Sequence, residues 1–261
     1  MSRRALKNIH RLIEAAQKEL PVEQEFLSDL KAAIERSEES RLPSRTYKPS
    51  SLICLRNMYF QVIGQQPDGE KADSCLIGMG QTGSARHEHL QQAIASMKKL
   101  GIDCEYVDVE KFVNSRKPKG TKVVKKQGME TKCFNEILNM SFLCDGIIRY
   151  KGRYYILEIK TESLYKWQTR NAPADDHITQ ASCYSVCLGL DDVIFLYENR
   201  DNCDKKCYLV HVTDSMKEER VVGKIAECDS YVQKLIPPPM TENKKACNYC
   251  GYKSACRKAG R

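Results

Sequence analysis

Residues 145–160 read Asp-Gly-Ile-Ile-Arg-Tyr-Lys-Gly-Arg-Tyr-Tyr-Ile-Leu-Glu-Ile-Lys, and their spacing brings two acids and a base together. Lys151-Gly152 has the form of a tight hairpin turn, glycine supplying the positive φ that a two-residue loop needs. Folding the chain there sets residues whose numbers sum to 303 face to face, so Asp145 lies opposite Glu158. Alternation along a strand puts Lys160 on the same face as Glu158. Two carboxylates directly across a strand pair repel each other, and a cation between them removes that cost. Two acids and an ammonium on one face suit metal-dependent attack of water on a phosphodiester.

A charged hairpin face is most often a solvated one. Here Phe142-Leu143-Cys144 on one side, and Ile156, Leu157 and Ile159 on the other, make the strands apolar around the acids, as in a buried central pair. A slip of one residue in register would send Asp145 and Glu158 to opposite faces. His87 shares a helix face with Leu90 and Ile94. A histidine so placed is commonly a satisfied core residue, but neutral imidazole is also a common metal ligand. Gln180 and Tyr184 are spaced i, i+4 and project from one helix face. They read either as a half-buried polar pair or as groups that touch DNA phosphates and orient Lys160.

The elements that must position these residues follow from patterning. Helical spacing is expected over residues 5–20, and Pro21 opens a second helix to about Ser37. Leu42 to Lys48 reads as a linker, Ser50 or Ser51 as the cap of a helix to about Ile63, and Gly64 to Asp73 as loop. The helix carrying His87 is expected to begin after Gly83 and end at Gly101. Strands follow near 104–109. Arg116 to Gly128, with Lys117, Lys119, Lys122, Lys125 and Lys126, reads as a mobile basic loop, either solvated or contacting nucleic-acid phosphates. After the hairpin come a helix over 176–188, strands near 193–199 and 207–212, and a helix over 214–235. Pro237-Pro238-Pro239 ends that helix and begins a Cys-rich tail. This order predicts an α/β fold with a mixed sheet.

Composition narrows the class. The 261-residue chain carries a net charge of +8, with 42 Lys and Arg, which favours a polyanionic partner. No run of about 18 apolar residues exists, so no membrane-spanning helix is expected. Thirteen cysteines, an odd number with no apolar secretory signal, argue against a disulfide framework. They favour a reducing, cytoplasmic compartment with some cysteines on metal.

Taken in order, Gly83-x-x-x-His87, Asp145, Glu158-Ile159-Lys160 and Gln180-x-x-x-Tyr184 resemble the PD-(D/E)XK nuclease superfamily in its RecB-like exonuclease branch. The resemblance spans about residues 50–256; Asp145 lacks the proline that often precedes it. It implies a restriction-endonuclease-like core over residues 50–261, with a mixed central β-sheet flanked by helices. Residues 1–42 would be a helical N-terminal extension, able to cover the active-site channel or bind a protein partner. It further implies Mg²⁺ or Mn²⁺ held by Asp145, Glu158, His87 and the Ile159 carbonyl, Lys160 as the catalytic lysine that orients the attacking water or stabilises the pentavalent phosphate, and Gln180 and Tyr184 beside it. Single-stranded DNA ends are the implied substrate, cut 5′→3′. A structure-specific endonuclease on the same core is the alternative. So is a catalytically silent DNA-binding adaptor, against which the intact acid–acid–lysine set argues.

Cys247-x-x-Cys250-x5-Cys256 closes the chain, and Cys54 lies about 190 residues earlier in Ser51-Leu52-Ile53-Cys54-Leu55-Arg56. Spacing alone suits a four-cysteine zinc site or an iron–sulfur cluster equally. The arrangement resembles the iron–sulfur RecB-like nucleases (the CRISPR-associated 5′-exonucleases and the AddB nuclease domain). That resemblance implies a [4Fe–4S] cluster on Cys54, Cys247, Cys250 and Cys256. The other nine cysteines are expected to be small buried hydrophobes, with Cys203 and Cys207 flanking a hairpin turn.

Overall fold

The computed structural model describes residues 21–37, 42–68, 73–248 and 250–260; the helix expected over 5–20 lies outside them. The chain divides into two compact units, residues 1–40 with 71–80, and 41–70 with 81–261. In the first, α1 (Val22–Ser37) starts after Pro21 as expected and buries none of its residues. No helix among the described residues is long and apolar enough to cross a membrane.

The larger unit is α/β, built on a five-stranded mixed sheet: β1 (Cys104–Val107), β5 (Gly146–Tyr150), β6 (Arg153–Glu162), β7 (Asp192–Asn199) and β8 (Lys205–His211), in that order. β6 and β7 run parallel, joined through α5 (Leu164–Thr169) and α6 (Asp175–Leu188); the other pairs are antiparallel. This is the mixed central sheet flanked by helices that the sequence implied. A second sheet, β2 (Thr121–Gln127), β3 (Glu130–Asn135) and β4 (Met140–Cys144), leads directly into it. Asp145 is the single residue between β4 and β5, so the chain changes sheets at the central acid.

The two faces of the five-stranded sheet bury different sets. On one, Ile147, Ile156, Val193 and Phe195 pack with Ala181, Cys183 and Leu188 of α6. On the other, Ile148, Leu157 and Ile159 pack with Leu90 and Ile94 of α3 (Ser74–Ser96). α3 begins nine residues before the expected start: Asp73 accepts the Leu76 amide at 2.8 Å, and docking outweighs the cost of Gly78, Gly80 and Gly83. It ends as expected at Gly101, whose φ is +79°.

Three other expectations need correction. Residues 116–128 are not a loop: α4 (Val109–Arg116) is followed by strand β2 paired along β3. Ser51 does not cap the next helix; it lies in a 3₁₀ turn, and Cys54 is the N-cap of α2 (Leu55–Val62). Tyr47, read as linker, is 1% exposed, bridges Met140 and donates its hydroxyl to Asp229 at 2.5 Å. The final helical region also breaks its pattern. α7 (Asp214–Lys217) passes through a π turn at Glu218–Val222 into α8 (Gly223–Lys234).

Candidate active site

The hairpin has the register read from the sequence. Gly146 pairs with Leu157, Ile147 with Ile156 and Tyr150 with Arg153, partners summing to 303. Lys151 and Gly152 both have positive φ, +48° and +79°, as a primed two-residue turn requires. One step beyond the ladder, Asp145 meets the β6 backbone: its Oδ2 accepts the Ile159 amide at 2.7 Å. Ile159 thus meets Asp145 through its amide, and its side chain is fully buried.

A third acid, absent from the sequence reading, stands on the other side of Asp145. In β3–β4, Thr131 pairs with Cys144, so the next step outward sets Glu130 opposite Asp145. Donor atoms of His87, Glu130 and Asp145 all lie within 4.8 Å of one another. Glu130 and Asp145 therefore adjoin, and Glu158, outside that set of three, extends the row on the β6 side, where the charges of Asp145 and His87 act on it. The signal for Glu130 was the Gly128-Met129 turn between two alternating segments, hidden by the lysines around it.

Surrounding groups fix this row. On α3, Gln91 donates to the Asp145 carbonyl at 2.6 Å, while His87, one turn earlier, places Nδ1 3.7 Å from Asp145 Oδ1. The Tyr106 hydroxyl donates to the Asp145 carbonyl and also contacts the Met129 carbonyl at 3.1 Å, tying the β2–β3 turn to the site. Gly146 permits that contact, because a Cβ there would lie 2.6 Å from the Tyr106 hydroxyl.

Glu158 is 1% exposed; its Oε1 meets Lys160, and among the described residues its Oε2 has no partner. Lys160 faces it as an ion pair. Burial pushes the Glu158 carboxyl above the usual range, and Lys160 opposes this without cancelling it. Burial acts to lower the Lys160 pKa, but the facing Glu158 and Asp145 leave it raised. Glu130 is raised by burial and by Asp145. Burial acts to lower His87, but Asp145 outweighs it and leaves the imidazole raised.

The Gln180-x-x-x-Tyr184 pair acts in series. Lys160 donates to Gln180 Oε1 at 3.1 Å, and Gln180 donates through Nε2 to the Tyr184 hydroxyl at 2.7 Å. Tyr184 is 2% exposed and packs on Phe142. It therefore reaches the site through Gln180 and does not present itself to a phosphate.

These residues fit a hard divalent cation. Carboxylates and an imidazole are the donor types Mg²⁺ and Mn²⁺ accept, and the buried Oε2 of Glu158 lacks a partner such as an ion supplies.

The cysteines sort into separate groups. Besides burial, Cys247 and Cys256 raise the Cys54 thiol, and Cys54, Cys256 and Cys247 raise that of Cys250, so the four gather at one place. Burial pushes the Cys54 thiol up, with the Asn57 and Arg56 amides of α2 opposing it. Asn57 donates to Cys250 Sγ and Arg56 to Cys256 Sγ, both at 3.5 Å. Arg56, 3% exposed, also donates to the carbonyls of Pro238 at 2.7 Å, Cys256 at 3.0 Å and Gly260 at 2.8 Å. Of the other nine, Cys104, Cys133, Cys144, Cys183, Cys187 and Cys228 are buried as expected; Cys75, Cys203 and Cys207 are exposed. Cys203, with φ +62°, lies in the β7–β8 turn.

The basic segment is distributed, not clustered. Lys117 caps α4 with φ +47°. Lys122 pairs with Glu136, and Lys126 with Asp108 at 2.8 Å. The Lys119 carbonyl accepts from Asn135 at 3.0 Å, and Lys125 is exposed.

No family model and no curated protein matches the chain. Among solved structures, the alkaline exonuclease LHK-Exo from Laribacter hongkongensis aligns at 14% identity and a TM-score of 0.46, covering 74% of this chain and 92% of that one. The same enzyme in complex with dAMP aligns at 14% identity and 0.35, covering 80% and 95%. The crystal structure of SSO0001 aligns at 16% identity and 0.44, covering 92% and 98%.

Proposed function

We propose that this protein is a Mg²⁺- or Mn²⁺-dependent deoxyribonuclease acting on single-stranded DNA ends, with 5′→3′ polarity as the resemblance implies. The observation that carries the reading is the set His87, Glu130 and Asp145, with Glu158 and its paired Lys160 beside it and a buried Glu158 Oε2 that has no partner among the described residues. His87, Asp145 and Glu158 would hold the metal, with Glu130 and the Ile159 carbonyl beside them. A cation there supplies an acidified water and neutralises charge growing on the phosphate. Lys160, aimed by Gln180, orients the attacking water or meets the developing phosphate charge. Tyr184 holds Gln180 in place from the core.

Cys54, Cys247, Cys250 and Cys256 are assigned to a [4Fe–4S] cluster of structural role. Among the described residues, His87, Glu130 and Asp145 are the only set of three or more ligand-type side chains whose donor atoms all lie within 4.8 Å. Spacing does not separate zinc from iron–sulfur here; the resemblance favours the cluster, and donors from Asn57 and Arg56 to sulfur suit thiolate ligands of either.

Anaerobic purification with metal analysis, followed by digestion of end-labelled linear and circular single-stranded DNA, tests both assignments. Metal-dependent loss of linear DNA that spares the circle, abolished in Glu158→Ala, is the expected result. Cleavage of the circle makes the protein an endonuclease. Full activity in Glu158→Ala refutes the site, and DNA binding without turnover would make the protein an adaptor.

A further inference from the structure

We propose that the outward face of the β2–β3–β4 sheet is a platform for single-stranded nucleic acid that leads into the metal site at Glu130. This rests on the nuclease reading above and adds the path by which a strand arrives. Along β3, Thr131, Cys133 and Asn135 are buried, so Glu130, Lys132 and Phe134 face outward. The pairing places Lys125 directly opposite Lys132 and Lys122 opposite Phe134. Lys125 and Lys132 are both exposed, and like charges directly across a strand pair are destabilising. Among the described residues neither has a carboxylate within ion-pair distance. A phosphate between them removes the repulsion. The Lys122 ammonium lies over the Phe134 ring, 5.6 Å from its centre, so a cation and a π face share one position and the lysine must swing aside for a base to stack.

Strict alternation would send Lys122 and Lys125 to opposite faces. A β-bulge between Val123 and Lys125 inserts Val124 and brings both lysines to the outer face. Residues two apart on a strand are about 7 Å apart, so Phe134, Lys132 and Glu130 form an aromatic, a cationic and a metal-binding position in line. The Lys122–Glu136 pair is exposed on both sides and so is readily exchanged for a phosphate. Aromatic stacking with a tracking line of cations is how single strands are held without sequence preference, and a duplex does not offer its base faces.

The test is fluorescence anisotropy with labelled oligothymidylate and with a duplex, in EDTA so that nothing is cut, over a range of salt. Lys132→Ala should weaken single-strand binding and lower the slope of log affinity against log salt by about one. Phe134→Ala should weaken it about tenfold with the slope unchanged. Lys132→Arg should retain affinity, and unfolding midpoints should match wild type. Wild-type affinity in both Lys132→Ala and Phe134→Ala overturns the platform. Equal losses on single strand and duplex overturn the single-strand assignment. If the platform variants bind normally while Glu158→Ala abolishes cleavage, the platform falls and the nuclease reading stands. If the wild type binds but no metal supports cleavage, the nuclease reading falls and the binding surface stands.

Discussion

In metal-free protein, Glu158→Gln should raise stability while abolishing cleavage. Glu158 is 1% exposed, its Oε2 has no partner among the described residues, and Lys160, paired with Oε1, compensates its charge incompletely. Burial holds its folded-state pKa above the unfolded value. Folding therefore binds a proton, and stability must fall as pH rises from the unfolded pKa through the folded one. His87 and Glu130 are also raised, and so add the same sign. A buried acceptor without a partner costs about 1–3 kcal/mol. The amide removes the ionised acid, and Lys160 keeps Gln180 at 3.1 Å. The net gain at pH 8 should be about 1–2 kcal/mol, shrinking toward zero at pH 5. Urea unfolding followed by circular dichroism in EDTA at the two pH values reads this directly. Saturating Mn²⁺ should then stabilise the wild type more than the variant, because metal competes with the protons the site otherwise takes up. A Glu158→Gln protein less stable than wild type at pH 8 in EDTA would refute the argument that this carboxylate waits for a cation.

His87→Ala should cut Mg²⁺-supported activity with partial recovery at high Mn²⁺, since one ligand among several is lost; unchanged metal dependence returns His87 to the core. Gly146→Ala should cost about 1–3 kcal/mol by overpacking and depress cleavage, because the new Cβ displaces Tyr106 from Asp145; normal activity would show that Tyr106 does not position the acid. Cys54→Ser should bleach the brown colour of anaerobic protein and destabilise it by up to roughly 4–5 kcal/mol, the entropy of closing a loop of about 190 residues. Colourless protein holding stoichiometric zinc would replace iron with zinc, and a fully metallated Cys54→Ser would remove the staple.

The hairpin register was legible because two local signals agreed, a glycine turn and alternating apolar residues. Together they fixed the ladder from Gly146–Leu157 to Tyr150–Arg153 to the residue, with Asp145 and Glu158 one step beyond it. The i, i+4 spacing of Gln180 and Tyr184 likewise survived as a hydrogen bond. Glu130 was not legible. Thr121–Gln127 has four exposed residues in succession and a bulge, so the period-2 pattern that announces a strand is broken where it matters. The start of α3 was missed because three glycines outweigh Asp73 in a reading by propensity. Docking of Leu90 and Ile94 on the sheet appears only with the tertiary fold.

The grip of Arg56 joins parts of the sequence far apart. One guanidinium, at the start of α2, holds the carbonyls of Pro238, Cys256 and Gly260, which lie 182, 200 and 204 residues further along. Synthesis runs from the N-terminal side, so those acceptors emerge well after the 145–160 hairpin, which pairs locally. Until they do, the guanidinium stays in water. The candidate acids are thus gathered early, and the clasp on α2 closes late.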